Sequence, residues 1–358
     1  MQRLPASLFE QFIPEVFAAA GCQRREADLV TEHLVDSNLV GHDSHGLVRV
    51  PRYLAWMSEG KLLANQHATP FVDAGALVGV DGGFGFGQVI GKEAMNLAIE
   101  RTKKHGFCAL GIRNSGHLGR IGAWAEQLAV AGLVSIHFVN SSGFGILVAP
   151  FGGTERRLSA NPIAAGTPSP HGPMILDIAT SATAEGKIQV ARNQGKQIPP
   201  GLILDADGQP TTDPATFYGP PMGAILPFGG HKGSGLSVFC EILAGSLTTG
   251  GSSHPQNETA KRLVNNMLTL AFNPAAFGPE TTYASDVSRL MEWVTSSRPA
   301  EPHGEILLPG DVERRTREDR RANGIPIDPV TAKQLVDSAE SVKVAAPPAL
   351  KDLAATAK

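Results

Sequence analysis

The sequence of 358 residues contains no long apolar run, and only 18% of its residues are charged. A helix that crosses a membrane needs about 20 consecutive apolar residues, so we expect no membrane-spanning segment. No stretch combines clustered lysine and arginine with aromatic residues, and the formal net charge is -3. Nucleic acid is therefore not an expected partner. The opening residues have a glutamate and a proline among their apolar positions, which is typical of an amphipathic helix and not of a signal peptide.

Cysteine is scarce as well. The three cysteines, Cys22, Cys108 and Cys240, are far apart, and the last two each follow a phenylalanine. They form neither a Cys-x-x-Cys pair nor a zinc-binding pattern. This spacing predicts buried free thiols in a reducing compartment, and hence a cytoplasmic protein.

The glycine motifs of the common nucleotide-binding folds are also missing. The segment GGFGFGQVIGKEA, which begins at Gly82, comes nearest, but its spacing fits neither G-x-G-x-x-G nor the P-loop. Glu93 stands where a P-loop has serine or threonine. We interpret the segment as a structural turn. A dinucleotide would therefore require a fold other than the Rossmann fold.

Two regions of different texture predict the architecture. Residues 7–72 have apolar positions at helical spacing, whereas from about residue 75 short β-prone segments alternate with helix-like runs. This alternation predicts an α/β or α+β fold. Residues 237–247, SVFCEILAGSL, are apolar almost all round and predict a buried helix. Residues 312–324 predict a highly charged, solvated helix, and residues 346–358 a loosely held tail.

The stretch GHDSHGLVRVPRY, residues 41–53, concentrates groups that could bind a carboxylate and move a proton. If a helix begins at Asp43 or Ser44, His45 and Arg49 lie at positions i and i+4 on one face. A guanidinium presents a fork of donors to a carboxylate, and a histidine exchanges a proton near neutral pH. Pro51 would bend such a helix. The alternative is a capped surface helix with exposed charges.

Three further stretches offer polar or anion-binding groups. RNSGHLGRIGAWAE places His117 in a glycine-rich turn before a helix, whose free amides would favour a phosphate. FGGHKGSGLSVF presents Lys232 in a similar setting. ILDIATSATAEGK ends an apolar strand with Asp177, Thr180 and Ser181, which could bind a ribose or an amide or cap the next helix. For the first two, an ordinary glycine-rich connection is the alternative.

These stretches, together with VAPFGG, NPIA and LPGDVERRTR, follow the order seen in the type 2 malate/L-lactate dehydrogenase family. The chain resembles that family from about residue 7 to 340, and most of all the hydroxycarboxylate dehydrogenase B branch. The resemblance implies a non-Rossmann NAD(P)-binding domain on a mainly antiparallel or mixed sheet, over residues 73–308. It also implies a helical domain formed by both chain ends, residues 1–72 and about 309–345, and a homodimer with its sites near the subunit interface.

The implied reaction is reversible reduction of a 2-oxo acid to a 2-hydroxy acid with NADH or NADPH. By position, His45 matches the proton donor, Ser44 its relay partner, and Arg49 the residue that grips the substrate carboxylate. His117 matches a residue that is either catalytic or in contact with the cofactor. The positions that match cofactor contacts are His117, Leu118, Gly119, Arg120, Ile121, Ser141, Asp177, Ile178, Ala179, His231, Lys232 and Gly310.

Two departures from the family pattern bear on the substrate. Lys187 stands where one branch has an aspartate relay, and Ala160 where some relatives have a threonine. Both departures argue against the alternative of a cyclic imino-acid reductase of the piperideine-2-carboxylate type. Ureidoglycolate or sulfolactate oxidation remains an alternative within the family. Outside it, His42, His45 and His117 could serve a metal-dependent hydrolase or lyase. The preferred 2-oxo acid and the choice between NAD and NADP stay open.

Overall fold

The computed structural model describes residues 1–257, 262–301 and 304–357. In that part of the chain the strands are β1 (Gln2–Leu4), β2 (Thr69–Ala74), β3 (Leu77–Asp81), β4 (Phe107–Ser115), β5 (Val134–Gly143), β6 (Ile163–Thr167), β7 (Met174–Ile178), β8 (Ile203–Leu204), β9 (Pro210–Thr211), β10 (Ala224–Ile225), β11 (Leu263–Phe272) and β12 (Ile325–Ile327). The helices are α1 (Ala6–Ala19), α2 (Arg24–Leu39), α3 (Val50–Ser58), α4 (Gly87–His105), α5 (Gly122–Val130), α6 (Glu185–Asn193), α7 (His231–Cys240), α8 (Glu280–Thr295), α9 (Asp311–Asn323), α10 (Pro329–Ser341) and α11 (Pro348–Ala354). Across these described residues, none of the helices combines the length and apolar character needed to cross a membrane.

A seven-stranded mixed sheet forms the centre of the molecule, in the order β2-β3-β4-β11-β5-β6-β7. The pair β3–β4 is parallel and is connected by α4, whereas the other neighbours are antiparallel. Strand β11 lies between β4 and β5 and pairs with β5 from Leu263 to Phe272. Helices α4 and α5 cover the sheet through a buried cluster that includes Ile90, Met95 and Trp124.

Both ends of the chain build a second, helical core. Helices α1, α2 and α3 pack with α10 and α11 in one buried cluster that includes Phe9 and Leu335. The short strands β1 and β12 pair antiparallel and join the two ends of the chain. The sequence-based prediction of a mixed sheet with a helical part formed by both chain ends is confirmed.

Three local predictions are wrong. The first is helical structure over all of residues 7–72. Helix α3 ends at Ser58, because Gly60 has a positive φ of 67° that closes the helical run, and β2 begins at Thr69. Residues 348–354 form a helix in place of the expected loose tail. Its Leu350 and Leu353 are spaced for one helical face and are buried in the helical core.

The third correction concerns the apolar segment 237–247. It forms the end of α7 and a π-helical turn, Glu241–Ser246, and only one side of it is buried. The other side leaves large apolar side chains exposed, and Phe239 is 60% exposed. We call this surface the α7 apolar face; it consists of Leu236, Phe239, Ile242 and Leu247. Periodicity alone did not distinguish burial within the chain from such a face.

Candidate active site

The stretch 43–49 forms two short 3-10 turns, Asp43–His45 and Leu47–Arg49, and the α-helix begins only at Val50. The expected helix with Asp43 or Ser44 as its N-cap is therefore wrong. Pro51 lies in the first turn of α3, where no intrahelical N–H bond is lost, and so it does not bend the helix. The turns are held from α2, since the Asn38 side chain accepts a hydrogen bond from the Leu47 amide at 2.8 Å.

His45 and Arg49 lie side by side on these turns and are half-buried. The Nε of Arg49 donates to the Ser44 carbonyl oxygen at 2.6 Å. Its two terminal NH₂ groups have no hydrogen-bond partner in the part of the chain that the structure describes, which leaves them free for a ligand. The Ser44 hydroxyl lies 3.0 Å from Nδ1 of His45. Burial, and then the charge of Arg49, lower the pKa of His45 well below its usual value.

The His117 ring stacks on the His45 ring, with centroids 5.5 Å apart and an interplanar angle of 13°. Burial, followed by the charge of Arg49, also lowers the pKa of His117 well below its usual value. Two positive charges at that separation would repel each other by about 3 kcal/mol at an effective dielectric constant of about 20. We therefore expect at most one of the two rings to be a positively charged imidazolium at a time.

The turn that carries His117 is shaped by the glycine-rich segment that resembles a nucleotide-binding motif. The Gly116 amide donates to the Gly85 carbonyl oxygen at 2.8 Å. A Cβ at Gly87 would collide with the main chain of His117 and Leu118. The glycines of the segment therefore allow two backbones to approach closely, as expected for a structural turn.

Two side chains that the sequence analysis missed fix the rest of the turn. Nε2 of His33, on α2, accepts a hydrogen bond from the Arg120 amide at 3.0 Å, and a Cβ at Gly119 would collide with that ring. The Asn265 side chain accepts from the Leu118 amide at 2.9 Å and donates to the Ser141 hydroxyl at 2.8 Å. Ser141, expected from sequence, is thus brought to the turn by β11.

The guanidinium of Arg120 is occupied by ion pairs and is not available to a ligand. Its side chain is 3% exposed and forms ion pairs with Asp36 and Glu126, each at 2.8 Å. Arg317 of the charged helix α9 contacts the same two carboxylates. Any contact of Arg120 with a cofactor would therefore come from its main chain.

Asp177, at the end of β7, occupies the start of α5. Its Oδ2 accepts from the Gly122 amide at 2.8 Å. A carboxylate already satisfies this helix terminus, so the expectation of a free phosphate site at the helix start after His117 is wrong. Burial raises the pKa of Asp177. His42 contacts Asp177 at 4.0 Å and Glu313 at 3.3 Å.

The histidines do not converge as metal ligands would. His42 turns toward carboxylates, while His45 contacts Ser44 and His117 contacts Tyr53. In residues 1–257, 262–301 and 304–357, no group of three or more histidine, cysteine, aspartate or glutamate side chains is arranged to hold a metal ion.

The other expected cofactor positions lie beside the end of β7. The Phe228 amide donates to the Thr180 carbonyl oxygen at 3.0 Å, which joins the start of α7 to the residues that follow Ile178 and Ala179. His231 and Lys232 are exposed at the start of α7, which has no side-chain cap. On the far side, the Ile175 amide donates to the Pro309 carbonyl oxygen at 3.2 Å and so places Gly310 beside β7.

The mixed sheet without a Rossmann motif thus carries an arginine fork beside two stacked histidines, a combination suited to a small carboxylic acid. The chain belongs to the malate/L-lactate dehydrogenase family, whose model matches residues 4–336. It is 42% identical over 343 residues to hydroxycarboxylate dehydrogenase B of Escherichia coli strain K12, covering 95% of this chain and 94% of that protein. It is 38% identical to an L-lactate dehydrogenase of Cupriavidus necator, covering 95% and 97%.

A solved structure agrees with these sequence comparisons. The structure of a putative malate/lactate dehydrogenase from E. coli superposes with a TM-score of 0.92 at 41% identity, covering 99% of each chain. The predicted family is thereby confirmed, and the chain is an oxidoreductase of that family.

Proposed function

We propose that the protein catalyses the reversible reduction of a 2-oxo acid to a 2-hydroxy acid, with NADH or NADPH as the hydride donor. The observation that carries the proposal is the pair of NH₂ groups on Arg49 that have no partner among the described residues, next to the stacked rings of His45 and His117. This arrangement combines a receptor for a carboxylate with two groups that can serve a carbonyl oxygen. The names of the relatives, a hydroxycarboxylate and a lactate dehydrogenase, support the same reaction.

In this mechanism Arg49 binds the substrate carboxylate through its terminal NH₂ groups and fixes the orientation of the neighbouring carbonyl group. The bound carboxylate offsets the guanidinium charge that disfavours protonation of His45. His45 then holds a proton beside the carbonyl oxygen and transfers it as negative charge develops there. Ser44 orients His45 through Nδ1. The nicotinamide, when bound, supplies the hydride that reduces the carbonyl carbon. In the oxidative direction His45 accepts the hydroxyl proton.

The donor set beside β7 fits a dinucleotide. At the start of α7 the amides of Lys232, Gly233 and Ser234 donate to main-chain carbonyl oxygens, so the group there that suits a phosphate is the exposed ammonium of Lys232. Gly230, which precedes the helix, has a φ of 64°, a conformation that glycine adopts without strain. We assign phosphate contacts to His231 and Lys232. The remaining cofactor contacts fall to the expected residues around the His117 turn and β7, which are Leu118, Gly119, Arg120, Ile121, Ser141, Asp177, Ile178, Ala179 and Gly310.

We also propose a homodimer formed through the α7 apolar face. Contiguous exposed apolar surface of this kind is typical of an interaction site. Phe239→Glu should lower the mass measured by analytical ultracentrifugation from dimer to monomer, whereas Val130→Glu, also at an exposed apolar side chain, should not. A monomeric wild-type protein would contradict the proposal. In our proposal the helical domain comprises residues 1–68 and about 309–354 and the cofactor domain residues 69–308, because β2 of the central sheet begins at Thr69 and α11 packs in the helical core. The three buried, unpaired cysteines support a cytoplasmic location.

The reaction is tested by mixing purified protein with NADH or NADPH and following the loss of reduced-nicotinamide absorbance. Pyruvate, phenylpyruvate, oxaloacetate and glyoxylate are the substrates, and a cyclic imino acid is included for comparison. Turnover of an oxo acid identifies substrate and cofactor together. A folded protein that reduces only the imino acid, or none of the compounds with either cofactor, would contradict the proposal.

A further inference from the structure

Behind His117 lies a buried chain of two hydrogen bonds. The Tyr53 hydroxyl, on α3, is 2.7 Å from Nδ1 of His117. The side-chain amide of Gln88, on α4, donates through Nε2 to the same hydroxyl at 2.9 Å. Tyr53 is 1% exposed and Gln88 is 2% exposed. Both hydrogen bonds are therefore shielded from solvent. Their direction decides which nitrogen of the neutral His117 ring carries the proton.

The amide of Gln88 sets that direction. Its Oε1 has no hydrogen-bond partner within the described residues. The opposite orientation would leave the NH₂ group without a partner, and buried orphan N–H groups are rarer than under-satisfied carbonyl oxygens. With the NH₂ group donating to the Tyr53 oxygen, the phenol hydrogen is left to donate to Nδ1 of His117. A ring nitrogen that accepts a hydrogen bond is unprotonated, so the ring hydrogen is on Nε2.

We propose that Tyr53 and Gln88 are positioning residues that hold His117 as the neutral Nε2–H tautomer. In this state His117 is a hydrogen-bond donor to a substrate oxygen, and proton exchange is left to His45. This assignment rests on the proposed reaction. It gives the two stacked histidines different tasks. The hydroxyl of Ser44 lies at Nδ1 of His45 and can accept a hydrogen bond from the protonated ring. At Nδ1 of His117 the Tyr53 hydroxyl instead acts as the donor.

The surroundings of His117 favour the neutral ring. The titratable and charged groups that face it are His45 and Arg49 from the two 3-10 turns, Tyr53 from α3 and His33 from α2. These groups are neutral or cationic, so none of them stabilises an imidazolium. Tyr53 is itself fixed by packing, because its ring meets the Phe86 ring edge-on at a centroid distance of 5.8 Å.

Nitrogen NMR of protein labelled with ¹⁵N-histidine tests the tautomer without substrate or cofactor. At pH 8 we expect the wild-type His117 spectrum to show an unprotonated Nδ1 and a protonated Nε2. His117→Gln assigns the resonances by their loss. A protonated Nδ1, or rapid exchange between the two tautomers, would overturn the proposal. Because no turnover is involved, a failure of the proposed reaction would leave this result unchanged.

Gln88→Glu tests the direction of the two hydrogen bonds. A carboxylate accepts from the Tyr53 hydroxyl, so the Tyr53 oxygen must then accept from His117. We expect the His117 proton to move to Nδ1 and the pH profile of kcat to shift to higher pH. An unchanged spectrum at a pH at which the introduced carboxyl group is ionised would contradict the inference.

Tyr53→Phe removes the donor to Nδ1 and provides a second test. We expect mixed tautomers and a loss of roughly tenfold in kcat, with a smaller change in KM. A Tyr53→Phe spectrum identical to that of the wild type would also overturn the proposal. The wild-type spectrum decides the tautomer even if neither variant folds.

Discussion

Replacement of Arg49 by lysine should impair the enzyme selectively toward substrates that carry a carboxylate. In the structure Nε of Arg49 is engaged by the Ser44 carbonyl oxygen at 2.6 Å, which leaves two NH₂ groups for a ligand. A lysine ammonium is a single point of attachment and cannot keep the Ser44 contact while it binds both carboxylate oxygens. At least one hydrogen bond to a charged group is lost, at about 1.5–3 kcal/mol. We expect kcat/KM for the 2-oxo acid to fall roughly 10- to 150-fold.

The assay compares the best 2-oxo acid with its uncharged methyl ester. The ester has no carboxylate for Arg49, so Arg49→Lys should lower the acid-to-ester ratio of kcat/KM by most of that factor. Arg52→Lys is a matched control, because Arg52 is a neighbouring, exposed arginine on α3. It should leave the ratio unchanged. Equal losses for acid and ester in Arg49→Lys would refute the reasoning, since the arginine would then act on the fold and not on the carboxylate.

Three further predictions follow from the same contacts. His45→Gln should lower kcat by about 100- to 10,000-fold in both directions with little change in KM, and steady-state kinetics that show mainly a KM effect would assign the proton elsewhere. Burial lowers the pKa of His33 and His137 to about 3. The unfolded chain therefore binds more protons than the folded chain as the pH falls from about 6.5 toward 3. Each histidine should lower the free energy of unfolding by about 2 kcal/mol between pH 7.5 and pH 5. Urea unfolding at fixed protein concentration measures this change, and a flat profile over that interval would contradict it. Gly87→Ala should lower both the unfolding midpoint and kcat/KM, because the added Cβ collides with the His117 main chain, whereas Gly278→Ala, with open space around it, should change neither.

The sequence was sufficient for the class of fold, since that prediction rests on periodic signals. Alternating strands and helices from about residue 75 predicted an α/β or α+β fold, whereas the mixed sheet and its helical partner from both chain ends were implied by the family resemblance. The short motifs around His45, His117, Asp177 and Lys232 also pointed to segments that the structure brings together. Such motifs are visible because their groups lie near one another in the sequence.

What the sequence did not reveal depends on contacts between distant residues. His33 and Gln88 occur in ordinary amphipathic helices, and their partners Arg120 and Tyr53 are 87 and 35 positions away. The 3-10 turns around Ser44 were missed because helical spacing of His45 and Arg49 also fits two consecutive tight turns. One signal was available for Asn265: an asparagine pair in the middle of an apolar strand must find buried hydrogen-bond partners.

The charges around the site explain why substrate binding and proton transfer belong together. Arg49 has no salt bridge in the described structure. Glu185 is the carboxylate whose charge raises the pKa of Arg49, but it is already engaged, since it accepts a hydrogen bond from the Tyr218 hydroxyl at 2.8 Å. The positive charge of Arg49 therefore lacks a dedicated counter-ion and, after burial, is the next cause that lowers the pKa of His45. In the proposed mechanism a substrate carboxylate supplies this counter-ion. Its binding would remove part of the repulsion that lowers the pKa of His45 and so favour the imidazolium form while an oxo acid is bound. Arg49 would thereby both select the acid and prepare His45 for proton transfer to it.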